Sequence, residues 1–348
     1  MKIENLIRDN IKRLKPYTCA RDSYSEGVLL DANENTLGST FEYYNLELNR
    51  YPDPLQINMR RKLSALINIP IENLVFGVGS DELIDLIIRI FCNPGIDNTV
   101  IVQPTYGMYH VCCDINNVEV REAFLSDQFE IEVDSIMNKV GENTKIVFLC
   151  SPNNPTGNTL SSKSILELCE KTNAIIVVDE AYIDFDEENS VISEILNQRN
   201  LIVLRTFSKA WGLAAIRCGY CAADKEVINT IIKVKAPYTI NKLTEKAVVE
   251  SINNFRTKEK FVDEIITQRE FVFKKLNELE KVQKVFKSDS NFILFKCKNA
   301  SEVHRTLAER GVVIRDRSSQ EKLENCLRVS IGTEIENRIM LSELEKVL

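Results

Sequence analysis

Lys209 stands in the stretch LRTFSKAWGLAAIRCGY, residues 204–220, directly after an apolar run of strand length. A lysine in such a place can lose its proton and attack a carbonyl, or it can simply be solvated. Its company separates the two. Asp179 closes the apolar run AIIVVD and Tyr182 follows it by three, while Asn154 lies in CSPNNPTG, Tyr106 in QPTYGMY and Ser80 in GVGSDE. Each of these polar groups follows a β-rich run, as Lys209 does. No single loop decides the matter: GVGSDE lacks the third glycine of a dinucleotide fingerprint and the lysine of a nucleotide phosphate loop, and NNPTG alone reads as a turn. Taken singly, Asp179 could cap a helix and Arg217 could pair with any carboxylate.

Taken together, the residues suit pyridoxal 5'-phosphate. That cofactor needs a lysine for a Schiff base and a carboxylate against its ring nitrogen, and Lys209 and Asp179 are of those types. A carboxylate at Asp179 keeps the ring nitrogen protonated, so that the ring accepts the electrons left when a substrate loses its α proton. Asn154 and Tyr182 can hydrogen-bond the ring's phenolic oxygen, which makes Tyr182 a catalytic candidate beside Lys209 and Asp179, and Tyr106 can stack on the ring face. The cofactor's phosphate wants backbone N–H groups at a helix start, hydroxyls and an arginine. Gly79, Ser80, Asp81, Thr206, Ser208 and Arg217 are the residues available for it. Glu180, Asp184 and Asp186 are expected to form a solvated acidic loop.

Loops of this kind need a frame. Between about residues 74 and 224 the chain alternates short apolar runs (NLVF, NTVIV, VEV, TKIVFL, AIIVVD, LIVL and IRCGYCAA) with helical patterns such as DELIDLIIRIF and SSKSILELCEK. Runs apolar on both faces predict a largely parallel seven-stranded sheet covered by helices on both sides, an α/β fold. Ligands gather at the carboxyl ends of such strands, where the loops above lie. After YTINKLTEKAVVESI the pattern changes to two long helices, about 241–251 and 258–279, then to strands bracketed by helices, which predicts a smaller α/β domain. The expected organisation is an arm at residues 1–34 packing on the small domain, a large domain at 35–240 and a small domain at 241–348.

Composition sets the bounds. The chain has 348 residues, 44% of them hydrophobic and 27% charged, with a net charge of -7, which suits an ordinary globular protein of about two domains and excludes a generalised nucleic-acid surface. The first residues, MKIENLIRDNIKRLKPY, alternate charge with apolar side chains and do not form a signal peptide or membrane span, so a cytoplasmic location is expected. Most of the ten cysteines sit in apolar segments and read as small buried hydrophobes. Cys218 and Cys221 are spaced so that a strand would send them to opposite faces, and neither His110 nor His304 has a ligand-spaced neighbour, so no metal site is expected.

The motifs SPNNPTG, VDEAY, TFSKAWGLAAIRCGY, DANENTLG, RYPDP and LRVSIGT together resemble the fold-type I pyridoxal phosphate aminotransferases, of the aspartate aminotransferase type, and among them the histidinol-phosphate branch. The resemblance runs from about Lys15 to Gly332. Thr36, Trp211 and Ala215 stand where that family more often has proline, phenylalanine and glycine. The resemblance implies amino transfer between L-histidinol phosphate and 2-oxoglutarate in histidine biosynthesis. It also implies a homodimer with shared active sites, in which Tyr51 reaches the partner's cofactor phosphate. One pocket must then take a phosphate in one half-reaction and carboxylates in the other, a task for guanidinium groups. Arg315 in VVIRDRSS and Arg328 in CLRVSIG are the candidates, with Tyr17, Asn33, Tyr51 and Asn154 lining the site. A threonine-phosphate decarboxylase and an aromatic amino-acid aminotransferase are the rivals on the same scaffold.

Overall fold

The computed structural model describes residues 27–30, 33, 37 and 52–348. In chain order its strands are β1 (Val28–Leu29), β2 (Leu74–Gly77), β3 (Asn98–Gln103), β4 (Glu119–Phe124), β5 (Thr144–Cys150), β6 (Ile175–Asp179), β7 (Leu201–Thr206), β8 (Gly219–Ala223), β9 (Val282–Val285), β10 (Phe292–Cys297), β11 (Val312–Val313), β12 (Arg315–Asp316) and β13 (Cys326–Ser330). The helices of eight or more residues, in order, are α1 (Ile57–Ile67), α2 (Gly79–Phe91), α3 (Met108–Ile115), α4 (Ser162–Lys171), α5 (Lys225–Val234), α6 (Lys242–Asn253), α7 (Phe255–Glu278), α8 (Ala300–Glu309) and α9 (Glu334–Val347).

Seven strands form the large sheet in the order β2-β8-β7-β6-β5-β3-β4. Every pairing is parallel except those of β8, which runs against both β2 and β7. The predicted apolar runs are these strands, and their two-faced hydrophobicity has the expected cause. Val147 and Leu149 of β5 join one core with residues of α1, α4 and α6, while Ile146, Phe148 and Cys150 join another with α2, α3 and α5. Cys218 and Cys221 divide between the same two cores. Each fully buried aliphatic or aromatic side chain here contributes about 1.5–3 kcal/mol relative to exposure.

The reversed strand matters for the site. Because β8 runs against its neighbours, its first residue, Gly219, lies at the edge where β2, β5, β6 and β7 end. Arg217, two residues earlier, is delivered to the same edge. Nine cysteines among the described residues are free and buried.

A second, antiparallel sheet has the order β12-β13-β10-β9, and its core takes side chains from α7, α8 and α9. Val28–Leu29 pairs in parallel with Val312–Val313, and Leu30 is buried in the same core. Tyr182 and Ala210 of the large sheet's loops also enter that core, so the two sheets meet beside Lys209. Tyr17 and Tyr51 lie outside the described residues.

Candidate active site

Two successive residues at the end of β6 turn to opposite sides of the sheet. Asp179, beside Cys150 in the register of β5 and β6, points to the side of α2 and α3. Its Oδ2 accepts a hydrogen bond from Tyr109 Oη at 2.9 Å and its Oδ1 accepts from the Ala181 N–H at 3.1 Å. Burial raises the Asp179 carboxyl to about 6, with the bonds from Tyr109 and Ala181 and the charge of Lys209 opposing the rise.

Glu180 turns the other way, and the solvated acidic loop expected from sequence is a mistake. Glu180 is 2% exposed. Its carboxylate accepts from Arg205 Nε at 2.8 Å, from Ser190 Oγ at 2.8 Å and from the Val191 N–H at 2.8 Å. Asp184 pairs with Lys258 at 3.1 Å, and Asp186 accepts from Thr159 Oγ1 at 2.5 Å. Strand alternation places Glu180 and Arg205 on one face of neighbouring strands, and a charge so enclosed requires a partner. A local acidic run cannot disclose that its cations come from β7 and α7.

Around Asp179 the cleft is lined by Ser80, Asp81, Tyr106, Cys150, Asn154, Ala181, Tyr182, Thr206, Ser208, Lys209 and Arg217. Lys209 Nζ lies 5.6 Å from the centroid of the Tyr182 ring. The Tyr182 hydroxyl accepts from Asn154 Nδ2 at 3.3 Å and from Asn33 Nδ2 at 3.2 Å, and burial holds its phenol protonated well above the usual range. Tyr106 Oη donates to Asp81 Oδ1 at 3.1 Å.

At the other end of the cleft, Arg217 Nη2 donates to Asp81 Oδ2 at 3.2 Å, and Thr206 Oγ1 and Ser208 Oγ are 2.9 Å apart. Gly79 opens α2 at φ +73°, and a Cβ there would come within 2.6 Å of Arg217 Nη2. A Cβ on Gly219 would meet Ser80 N at 2.7 Å and Gly79 C at 2.8 Å. The Gly79 N–H is already given to the Arg217 carbonyl at 3.1 Å, so Gly79 serves by shape, and the first-turn amides on offer are those of Ser80 and Asp81. Bare glycines, hydroxyls, helix-start amides and one guanidinium make a cradle that fits a phosphate, while a buried carboxylate fits a cationic ring nitrogen. The donor set therefore fits pyridoxal 5'-phosphate.

The substrate-side residues divide. Arg328 is buried, reaches across from the small sheet to Asn154 Oδ1, and lies 5.0 Å from the centroid of Phe292. Arg315 and Arg328 are direct partners in the antiparallel register of β12 and β13, which puts both side chains on one face. Arg315 is half-buried and is not among the residues lining the cleft around Lys209. Asn33, at φ +52°, does not stand open in the cleft: besides Tyr182 it accepts from Ser330 Oγ at 2.7 Å and its carbonyl accepts from Asn291 Nδ2 at 3.0 Å. Its place is that of a brace between the Tyr182 loop and β13.

Cys150 and Ala181 in the wall of the cleft, and Tyr109 behind Asp179, escaped sequence reasoning. Tyr109 follows Tyr106 by three, the helical spacing that puts side chains on one face, and that signal was legible. Cys150 looked like any other apolar strand residue.

The family described as aminotransferase class I and II matches residues 28–344. A histidinol-phosphate aminotransferase of Cytophaga hutchinsonii is 44% identical over 345 residues, covering 99% of this chain and 98% of the relative. Among solved structures, the fold is similar to histidinol-phosphate aminotransferase of Clostridium acetobutylicum, with a TM-score of 0.85, 24% identity and coverage of 91% of this chain and 98% of that one. It is similar as well to the Sinorhizobium meliloti histidinol-phosphate aminotransferase in complex with pyridoxal-5'-phosphate, with a TM-score of 0.87, 19% identity and coverage of 98% and 97%.

Proposed function

Since the chain belongs to the class I and II aminotransferases, we propose that it moves an amino group reversibly between L-histidinol phosphate and 2-oxoglutarate, a step of histidine biosynthesis. The products are imidazole acetol phosphate and L-glutamate. The observation that carries the substrate assignment is the facing pair Arg315 and Arg328, of which Arg328 reaches Asn154 in the wall of the Lys209 cleft. Two guanidinium groups on one sheet face offer forked donors, and an anion can fit between them. A phosphate in one half-reaction and a carboxylate in the other can both do so.

When bound, pyridoxal 5'-phosphate supplies a carbonyl carbon that bonds covalently to amines and a ring that withdraws electrons from the carbon bearing them. Lys209 would hold it covalently and Asp179 would face its ring nitrogen. Asn154 and Tyr182 would bond its phenolic oxygen, Tyr106 would lie against the ring, and Ser80, Asp81, Thr206, Ser208 and Arg217 would take its phosphate. Lys209 Nζ would take the proton from the substrate carbon that bears the amine. Tyr182 keeps its own proton and donates a hydrogen bond, because burial disfavours the phenolate. The Asn33 and Asn154 amides hold that hydroxyl in place.

The functional unit is a homodimer in which Tyr51 reaches the partner's site. Exposed Leu55, Val78, Tyr238 and Leu243 support this, since Lys235 bonds Gln56 at 3.3 Å, Thr244 bonds the Ile216 carbonyl at 3.1 Å and the Gly79 N–H bonds the Arg217 carbonyl at 3.1 Å, tying their segments in two groups. Residues 1–34, 35–240 and 241–348 are read as its arm, large and small domains, with α6 at the start of the last segment packing on the large sheet's core. No helix among the described residues is long and apolar enough to cross a membrane. Free buried thiols suit a reducing compartment, the cytoplasm.

The test is direct. Purified protein given L-histidinol phosphate and 2-oxoglutarate should form glutamate without releasing carbon dioxide. Carbon dioxide released from threonine phosphate, with no glutamate formed, would replace the assignment by the rival decarboxylase.

A further inference from the structure

We propose that Tyr109 is a positioning residue for Asp179: its hydroxyl holds one carboxylate oxygen, so that an ionised and fixed carboxylate meets the cationic nitrogen of the bound ring. This rests on the cofactor assignment above. The contact is the 2.9 Å bond from Tyr109 Oη to Asp179 Oδ2. Its direction is settled by burial at both ends. Enclosure pushes the Tyr109 phenol well above its ordinary value, so it keeps its proton and donates. The same enclosure works against the charge on Asp179, and a donated hydrogen bond is what offsets it.

Tyr109 is also held rigidly. Its ring stacks on Phe148, with centroids 4.9 Å apart and planes 8° from parallel, and meets Tyr106 edge-on at 5.6 Å. Tyr106 and Tyr109 are thus one unit: the first ring is placed for the cofactor's face and the second fixes the carboxylate for its nitrogen. The other groups that act on Asp179 are a bonded carboxylate, two neutral acids and one cation. From α2, Asp81 is bonded to Arg217 and Tyr106. From β5, burial raises the Cys150 thiol, which donates to the Pro152 carbonyl at 3.3 Å. From the following loops, Tyr182 is a neutral phenol and Lys209 is the cation whose charge opposes the rise.

Tyr109→Phe deletes one oxygen and retains the stacked ring. In cofactor-free protein, carbon-13 NMR of labelled aspartate should show the Asp179 titration, near 6 in the native chain, moved up by about one pH unit or more. The dissociation constant of pyridoxal 5'-phosphate, measured by equilibrium dialysis at pH 8, should rise roughly tenfold or more. Phe148→Leu loosens the packing and spares the hydroxyl, so it should lower Tm and leave the titration where it was. An unmoved titration in Tyr109→Phe, an equal movement in Phe148→Leu, or cofactor affinity within twofold of native each overturns the proposal. Native protein that binds no pyridoxal 5'-phosphate overturns the assignment beneath it instead.

Discussion

In the proposed mechanism Lys209 and Asp179 act on the cofactor at different atoms, and their loss should look different. Lys209→Ala removes the amine that bonds to the cofactor and carries the proton, so turnover should vanish and the cofactor should leave on denaturing gel filtration without any covalent trapping by borohydride. Near-native multiple turnover in that variant would end the assignment. Asp179→Asn keeps size and loses charge; kcat should fall by orders of magnitude, since the charge acts in the transition state. An unchanged kcat would remove Asp179 from that role. A pH dependence follows from the same carboxyl. Its folded value, about 6, lies above its ordinary 3.8. The protonated group therefore contributes stability that is fully present below about pH 4 and lost as pH rises through about 6. A cationic ring reverses that loss, so the gain in Tm on adding cofactor should widen between pH 5 and pH 7.5. A gain that narrowed over that interval would contradict this account.

At the scale of the elements, the cradle depends on how closely β8 approaches the start of α2. Gly219→Ala sets a methyl against backbone atoms of Ser80, Gly79 and Arg205, all within 3 Å, and none of them can move alone. Gly79→Ala meets only the end of a mobile guanidinium, though its φ of +73° costs about 1 kcal/mol for a residue with a Cβ. Thermal unfolding should therefore fall further in Gly219→Ala; the reverse order would show that the backbone yields where it looks fixed. The buried pair beneath β6 and β7 gives a larger number. Arg205→Met leaves Glu180 enclosed without its cation and should cost about 3–5 kcal/mol in urea unfolding. A cost below about 1 kcal/mol would mean that Lys258 or water takes over. These elements also show what the letters could and could not tell. The seven apolar runs and the polar loops after five of them were legible because a buried parallel strand is hydrophobic on both faces and ends at a loop. The Glu180 and Arg205 pair was not, because it joins segments 25 residues apart. Nor was the engagement of Asn33, which depends on Ser330 and Asn291 folding against it.

Across the whole molecule, the proposed substrate site draws on both sheets. Arg328 comes from the small sheet and Asn154 from the large, so one bond spans their boundary. Arg328→Ala should weaken binding in both half-reactions, and Arg315→Ala should fall more heavily on the phosphorylated substrate; single-turnover measurements of each half-reaction decide. Unchanged dissociation constants in Arg328→Ala would move the anion pocket elsewhere. The assembly makes its own prediction: mixing Tyr51→Phe with Lys209→Ala subunits should restore part of the lost activity, as one composite site then escapes both changes. Strictly additive losses on mixing would argue for sites complete within one subunit. The buried cysteines, finally, turn the fold into its own clock. A thiol reagent reaches their sulfurs only during an excursion that opens the chain, so the pace of alkylation in dilute buffer counts those excursions directly. Cys150 lies in the wall of the cleft while Cys169, on α4, packs into the core on the other face of the sheet. A cofactor that fastens the cleft should slow the labelling of Cys150 first, and the ratio of the two labelling rates would separate local breathing from global unfolding in a single tube.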